Sequence, residues 1–298
     1  MSAVAAPTVV PHRSRMLRFR STPLYRGVTQ TTSGRIGFVI CLLIVLIAFV
    51  GPYFSPYSPN AIVGLDYQPP SHSHWLGTDF LGRDGFSRFL WGGKAMIFVA
   101  VLSTLLAYLI SIPLGLVAGF LRGKVDLATI ALVDILLAFP PIVFILVLLS
   151  ASGPRLSVVV IAIAVIQAPR IIRIVRTVAV ELSTSDFVEA AIARGERLPS
   201  LMFKEILPNI WIPVLADVGL RLAHAVILFA SLSFLGVALR PPASDWGLMV
   251  NENRVGLTEN PWVTIGPVVM IALLTIGINC VADGAARTIG RSVSGADE

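Results

Sequence analysis

The chain is poor in charge and in the residue types that build metal and redox sites. Only 13% of its 298 residues are charged, about half the share usual in a soluble domain, which excludes an ordinary soluble fold. It has four His and two Cys. Cys41 and Cys280 lie in separate apolar segments without metal-ligand spacing, so we interpret them as small packing residues rather than as a disulfide framework or metal site.

The sequence also lacks a phosphate-binding loop. Lys follows Gly at Gly93–Lys94 and at Gly123–Lys124, but neither pair has a Gly five residues earlier or a Ser or Thr after it. The chain therefore has no motif for hydrolysing ATP itself. Inside the apolar segments we find no paired-acid, Ser–His or metal-ligand motif. We expect no catalytic residues, no metal and no cofactor in this chain.

Long apolar runs dominate what is present. The composition is 55% hydrophobic and the mean hydropathy is +0.82. Runs of roughly the 20 residues needed to cross a bilayer are 36–54, 95–120, 127–150, 156–178, 210–236 and 262–281. Each must satisfy its backbone hydrogen bonds internally. The sequence predicts an all-α, polytopic membrane protein with six transmembrane helices, the first of them uncleaved.

Lys and Arg predict the orientation. Placing the N-terminus in the cytoplasm puts most of the 23 basic residues on that side, and leaves outside only Arg83, Arg88, Lys94, Arg155, Arg240 and Arg254. Both termini are then cytoplasmic. The basic residues behind the net charge of +6 set the orientation of the spans, and we expect those of the N-terminal tail to contact anionic lipid. The net charge therefore gives no support to a nucleic-acid role.

The predicted organisation follows from these spans. A basic cytoplasmic tail (1–35) precedes the first span (36–54) and an extracytoplasmic loop (55–94). A core of five spans (95–290) contains a cytoplasmic loop at 186–209, and a short tail (291–298) ends the chain. In the outer loop, we expect acids and bases to form a structural network. His72 and His74 could suggest nickel, but without a third ligand we expect them to be solvated.

The polar segment 186–209 predicts two short helices with a break. Asp186 is a candidate N-cap, and Glu189 three residues later completes a capping-box pattern. Gly195 can adopt backbone angles that other residues cannot, so it suits a turn after the first helix. We expect a charged side chain added at this turn to clash. Pro199 fits the first turn of the second helix, and Pro208 marks a further break or a fresh helix start.

This segment resembles the "EAA" loop of binding-protein-dependent ABC importer permeases. The matching residues are Glu189, Ala190, Ala191, Gly195, Ile206, Leu207 and Pro208. The resemblance implies a type I ABC importer transmembrane fold and a coupling helix that docks on an ATP-binding subunit. It also implies as partners a homologous permease, two ATPase subunits that bind ATP and Mg, and an extracytoplasmic solute-binding protein.

Other stretches resemble one branch of that family, the "C" type subunit of dipeptide, oligopeptide and nickel importers. They are residues 74–88, 118–126, 134–140, 231–247 and 279–287. The branch implies peptide import, with nickel or another small solute as the alternative. An ATP-independent channel, an intramembrane enzyme and a scaffold are further alternatives. Departures from the family pattern are Leu132 and three polar residues of the fifth span.

Those three residues, Asp217, Arg221 and His224, are spaced i, i+4 and i+7, and therefore share one helix face. Charge facing lipid is costly, so the stripe is expected to face protein or water. We interpret it, together with Asp134, as a candidate translocation path or partner-permease contact. The alternative is an intrahelical Asp217–Arg221 pair that only pins the helix.

Overall fold

The computed structural model describes residues 30–294, so the predicted tail 1–35 lies mostly, and 291–298 partly, outside the described residues. Helices account for most of the described chain. They are α1 (Thr32–Val50), α2 (Gly85–Trp91), α3 (Gly93–Leu121), α4 (Gly123–Ala138), α5 (Pro141–Ser152), α6 (Leu156–Leu182), α7 (Asp186–Ala193), α8 (Leu198–Ser200), α9 (Leu207–Phe234), α10 (Trp246–Asn253) and α11 (Trp262–Ser294). Residues 30–294 contain two isolated β-bridges and no strand.

The predicted all-α, polytopic class is confirmed. By length and composition, the described residues hold 5 helices able to cross a membrane, or up to 6 if a bent pair counts as one span. Several boundaries differ from the predicted ones: α2 lies inside the segment predicted as a loop, and α11 continues past residue 290.

The predicted third span, 127–150, is the main departure. The structure divides it into α4 and α5, which are bent by 91°. Phe139 between them is extended (φ −83°, ψ 134°) because the following proline disfavours helical backbone at the residue before it. Pro140 and Pro141 also lack the N–H groups that would continue a helix. Two adjacent prolines therefore break a run whose composition alone predicts one continuous helix.

Close helix packing relies on glycine. A Cβ at Gly115 would lie 2.7 Å from the Val175 Cβ, and one at Gly119 2.8 Å from the Ala179 Cβ, so α3 and α6 meet through these positions. α1 meets α11 where a Cβ at Gly277 would lie 2.8 Å from the Cys41 Sγ. Both cysteines are free and half-buried, as their predicted packing role requires.

The segment between α1 and α3 is built on a buried ion-pair network. Arg88 donates to Asp79 at 2.5 Å and to Glu252 of α10 at 2.6 Å, and Arg83 binds the same two acids. The predicted network is confirmed, with Glu252 as an additional member. The prediction for His74 is wrong: its Nδ1 lies 3.1 Å from Asp84 Oδ1 and its side chain is 12% exposed, whereas His72 is exposed.

Candidate functional site

The segment 186–209 forms two helical pieces around a tight turn. Gly195 has φ +77°; its N–H donates to Ile192 O at 2.9 Å, and the Glu196 N–H donates to Ala191 O at 3.2 Å. These two bonds are the Schellman pattern, which requires a left-handed residue after the helix. The predicted glycine turn is confirmed. The predicted clash is wrong within this chain, because a Cβ at Gly195 would meet nothing within 4 Å.

The helix start differs from the prediction by one residue. Ser185 is the N-cap of α7, Asp186 is the first helical residue, and the cap makes no side-chain hydrogen bond to the helix. The Ser185 hydroxyl instead donates to Leu182 O at 2.6 Å. The capping box is therefore absent here, and Glu189 stays exposed. Pro199 lies in the first turn of α8, as predicted.

α7 has one buried and one exposed face. Val188 and Ala191 are fully buried, while Glu189 and Ala190 are exposed. Large apolar side chains are also exposed around the helix and the residues after it: Phe187 (38%), Ile192 (52%), Leu198 (45%) and Phe203 (51%). An apolar surface on a short helix outside the spans is typical of a contact with another protein.

The charged side chains at the turn form ion pairs with one another. Arg194 lies 2.7 Å from Glu196 and 3.9 Å from Glu205. The hydrogen bond from Arg194 holds the pKa of the Glu196 carboxyl below its usual range. Glu196 therefore stays ionised through the physiological range, and the turn keeps its charge pattern.

The buried face connects α7 to the spans. Val188 belongs to a cluster with Ala179 of α6 and Ile206 and Ile210 at the beginning of α9. Leu207 packs against this cluster. Pro208 stands in the first turn of α9, where it marks the change from π-helix to α-helix within one continuous helical stretch rather than the predicted break or fresh start. A π-helical segment, Leu201–Ile206, continues directly into α9. α7, the π-helical segment and the beginning of α9 are therefore joined by packed side chains.

Asp217 and Arg221 on α9 form a buried ion pair. Arg221 Nη2 lies 3.0 Å from Asp217 Oδ1, and the two side chains are 8% and 9% exposed. The Tyr108 hydroxyl donates to Asp217 Oδ2 at 2.8 Å. The intrahelical pair, one of the two sequence interpretations, is therefore present, and Tyr108 of α3 is a partner that the sequence pattern did not reveal.

Arg221 also lines a small cavity with His224, which we call the polar cavity after its four polar lining residues, although the other five are apolar. Its volume is about 50 Å³, and it lies where α4, α5, α6 and α9 meet. Its polar lining residues are Gln167, Arg170, Arg221 and His224. The sequence analysis did not single out Gln167 and Arg170. Two polar residues at i and i+3 in an otherwise apolar helix do indicate a polar site between spans.

Asp134 is not part of this cavity. It pairs with Arg173 at 2.5 Å, and both side chains are more than half exposed. Deeper between the same helices, Asp126 binds Arg176, with one contact at 2.6 Å. The structure thus separates Asp134 from the stripe on α9 and assigns it to the contact between α4 and α6.

Broken and unbroken apolar spans packed on a polar helical loop define a polytopic membrane protein. Residues 111–295 match the family described as the binding-protein-dependent transport system inner membrane component, and residues 32–70 match the N-terminal TM domain of oligopeptide transport permease C. The chain belongs to this family of importer permeases.

Three curated relatives align with this chain over most of its length and most of their own. The oligopeptide transport system permease protein of Bacillus subtilis is 34% identical over 90% of this chain and 86% of its own length. The dipeptide transport system permease protein of Alkalihalophilus pseudofirmus is 32% identical, over 84% and 82%. The glutathione transport system permease protein of Pectobacterium atrosepticum is 34% identical, over 82% and 81%.

Solved structures support the fold. Two crystal forms of the MetNI methionine ABC transporter in inward facing conformations match with TM-scores of 0.53 and 0.57, both at 19% identity. The first covers 65% of this chain and 93% of its own, and the second 68% and 96%. The predicted type I ABC importer transmembrane fold is confirmed.

Proposed function

We propose that this chain is a permease subunit of an ATP-driven importer of di- and oligopeptides. It would work with a homologous permease, two ATPase subunits that hold ATP and Mg, and an extracytoplasmic solute-binding protein. The observation that carries the proposal is the exposed apolar face of α7, whose opposite face lies in one hydrophobic cluster with the end of the π-helical segment and the beginning of α9. Peptide as the substrate is supported by the names of the curated relatives above.

Energy from the ATPase subunits would enter at α7. Since the Gly195 turn fixes the end of α7 and Val188 packs on Ile206 and Ile210, the helix is built to move with the beginning of α9 as a unit. Two residues of α9, Arg221 and His224, line the polar cavity. A displacement of the docked helix would thereby change the packing around that cavity. The chemistry of hydrolysis belongs to the partners, and the role of this chain is mechanical.

The orientation belongs to the same proposal. The excess of Lys and Arg on one side supports a cytoplasmic position for 186–209 and for both termini, on the side of a bacterial inner membrane where ATPase subunits would dock. The solute-binding protein would then meet the opposite end, which contains the ion-pair network of Asp79, Arg83, Arg88 and Glu252.

The test is reconstitution of the complex in proteoliposomes with a double substitution, Phe187→Ser and Ile192→Ser. These side chains are 38% and 52% exposed, so the change should leave the bundle intact. We expect wild-type vesicles to accumulate peptides only with ATP, and the variant to lose most uptake and most copurifying ATPase subunit. Val255→Ser, which removes an apolar side chain 80% exposed in another connecting segment, is the matched control. Full uptake by the double variant would contradict the docking role.

A further inference from the structure

The polar cavity holds a buried amide without a partner. Gln167 is 1% exposed, and neither its Oε1 nor its Nε2 has a hydrogen-bond partner among residues 30–294. A buried amide left unsatisfied costs free energy, so Gln167 favours a polar partner beside it, either water or a polar group of a ligand. Gln167 lines the cavity with Arg221 and His224, and its amide is therefore available to a molecule that enters it.

The charges around the cavity favour an anion. Arg221 is already neutralised by Asp217. Arg170, an exposed cavity-lining residue, has no ion pair among the described residues. No acid lines the cavity, so Arg170 leaves one positive charge uncompensated there. A cation within the spans is costly unless it faces water or a counter-charge, which makes an anionic group the favoured occupant.

The break between α4 and α5 places a second source of positive charge, the N-terminus of α5, at the cavity. Phe139 and Pro141 line the cavity, and Pro141 is the first residue of the 12-residue helix α5. The N-terminus of a helix carries partial positive charge, although Pro141 itself has no N–H to donate. Non-helical backbone at membrane depth is tolerated where it is buried in protein or lines a cavity.

Size limits the group that fits. A volume of about 50 Å³ is too small for a peptide but is comparable with one or two water molecules, the scale of a carboxylate. The Gln167 amide both donates and accepts, so it can bind a carboxylate oxygen and a neighbouring peptide N–H together. A peptide C-terminus presents these two groups side by side.

We infer that the Gln167–Arg170–His224 cavity is a subsite of the translocation path that binds the C-terminal carboxylate of the transported peptide. This inference rests on the proposed function. It assigns a selectivity to the permease itself, in addition to any selectivity of the solute-binding protein. Arg170 and Gln167 contact the carboxylate, and Arg221, held by Asp217, forms the adjoining wall.

The test compares peptides with and without that charge. A synthetic library of di- to pentapeptides is supplied to proteoliposomes containing the complete complex, once as free acids and once as C-terminal amides. Import is read by mass spectrometry and divided by the amount of each peptide loaded on the binding protein. We expect wild type to import free acids roughly tenfold faster than amides, the effect of one hydrogen bond to a charged group.

Two substitutions then test the residues. Arg170→Gln and Gln167→Leu should each bring the ratio of free-acid to amide import down to about one, whereas Arg170→Lys should keep part of the preference. Arg155→Gln, which removes a cation just before α6, is the matched control and should keep all of it.

Three results would overturn the inference. The subsite is contradicted if wild type imports acids and amides at equal rates, or if both cavity variants keep the full preference. Either result leaves the proposal of peptide import intact. Absence of ATP-driven import of both libraries by the wild type removes the peptide assignment and the subsite together.

Discussion

Gly195 is a residue whose backbone, rather than its side chain, is required. Its φ of +77° is costly for other residues, by about 1–2 kcal/mol, although Asn and Asp reach it more readily. Because a Cβ there would meet nothing within 4 Å, a new side chain would project away from the described residues, where the proposed ATPase subunit would dock. The consequence of a substitution therefore depends on the side chain's charge as well as on its backbone preference.

We expect Gly195→Asp to remain in the membrane and to abolish uptake, while Gly195→Asn retains most of it. Both residues tolerate the left-handed turn, but Asp places a negative charge at the C-terminal end of α7, near Glu196, where the helix dipole disfavours it. The measurements are ATP-driven uptake and the amount of ATPase subunit that copurifies. Equal uptake by the two variants would show that charge at this turn is immaterial.

Asp245 is a residue with a pH-dependent effect on stability. It is fully buried before α10, where its Oδ1 accepts from the N–H of Gly247 (2.9 Å) and of Leu248 (3.3 Å) and from the Ser233 hydroxyl. Burial raises the pKa of the Asp245 carboxyl from 3.8 to about 6. A raised pKa means that folding favours the protonated form, so this stabilisation is complete below pH 4 and is lost as the pH rises through 6.

We expect Asp245→Asn to remove that pH dependence. Asn keeps the acceptor for the α10 N–H groups and carries no charge, so its advantage over wild type should grow to about 3 kcal/mol between pH 4 and pH 7. The measurement is the free energy of unfolding in detergent at several pH values. Asp245→Ala is the control: it also removes the titrating carboxyl, so it should be less stable than Asp245→Asn by about 1 kcal/mol, the cost of the lost cap, at every pH. A difference between Asn and wild type that is constant with pH would contradict the buried charge.

At the scale of elements, the α3–α6 contact holds the bundle together. A Cβ at Gly115 would lie 3.0 Å from Ile172 O, and one at Gly119 2.8 Å from Arg176 O, and backbone atoms cannot move aside as a flexible side chain can. The small residues recur with the spacing of four that lets two helices approach closely.

We expect Gly115→Ala and Gly119→Ala each to destabilise the protein by roughly 1–3 kcal/mol, the usual effect of overpacking. Thermal unfolding in detergent would measure this loss. Gly266→Ala is the matched control in another span, because its Cβ would have ordinary contacts of 3.6 Å or more. An equal effect at Gly266 would show that general helix propensity, and not the α3–α6 approach, is responsible.

At the scale of the whole molecule, the bent pair α4–α5 decides the topology. If the pair crosses the bilayer, the chain has six spans; if it turns back, everything after it is reversed. The distribution of Lys and Arg favours the crossing.

We expect reporter fusions at Asn60, Gly153 and Val250 to be extracytoplasmic, and those at Lys124, Glu196 and the C-terminus to be cytoplasmic. Gly153 follows α5, so it discriminates most directly between a crossing and a re-entrant pair. A cytoplasmic fusion at Gly153, with Glu196 outside, would replace the six-span arrangement by a re-entrant one.

The sequence by itself determined the class of fold, the α7 turn and the family. Long apolar runs can cross a bilayer only as helices or closed barrels, and left-handed backbone selects Gly195, so both follow from local chemistry. The Phe139–Pro140–Pro141 break was also readable locally, since proline restricts its neighbours, but apolar composition hid it.

Only the tertiary structure decided which polar side chains meet. Tyr108 and Asp217 are far apart in the chain, as are Arg88 and Glu252, yet both pairs are in contact. The meeting of Gln167 and Arg170 with Arg221 and His224 likewise depends on the packing of α6 against α9 and on the bend after α4. Helical periodicity gives the face that a residue occupies on its own helix, but the neighbour of that face is set by how separate helices pack, which no single segment encodes.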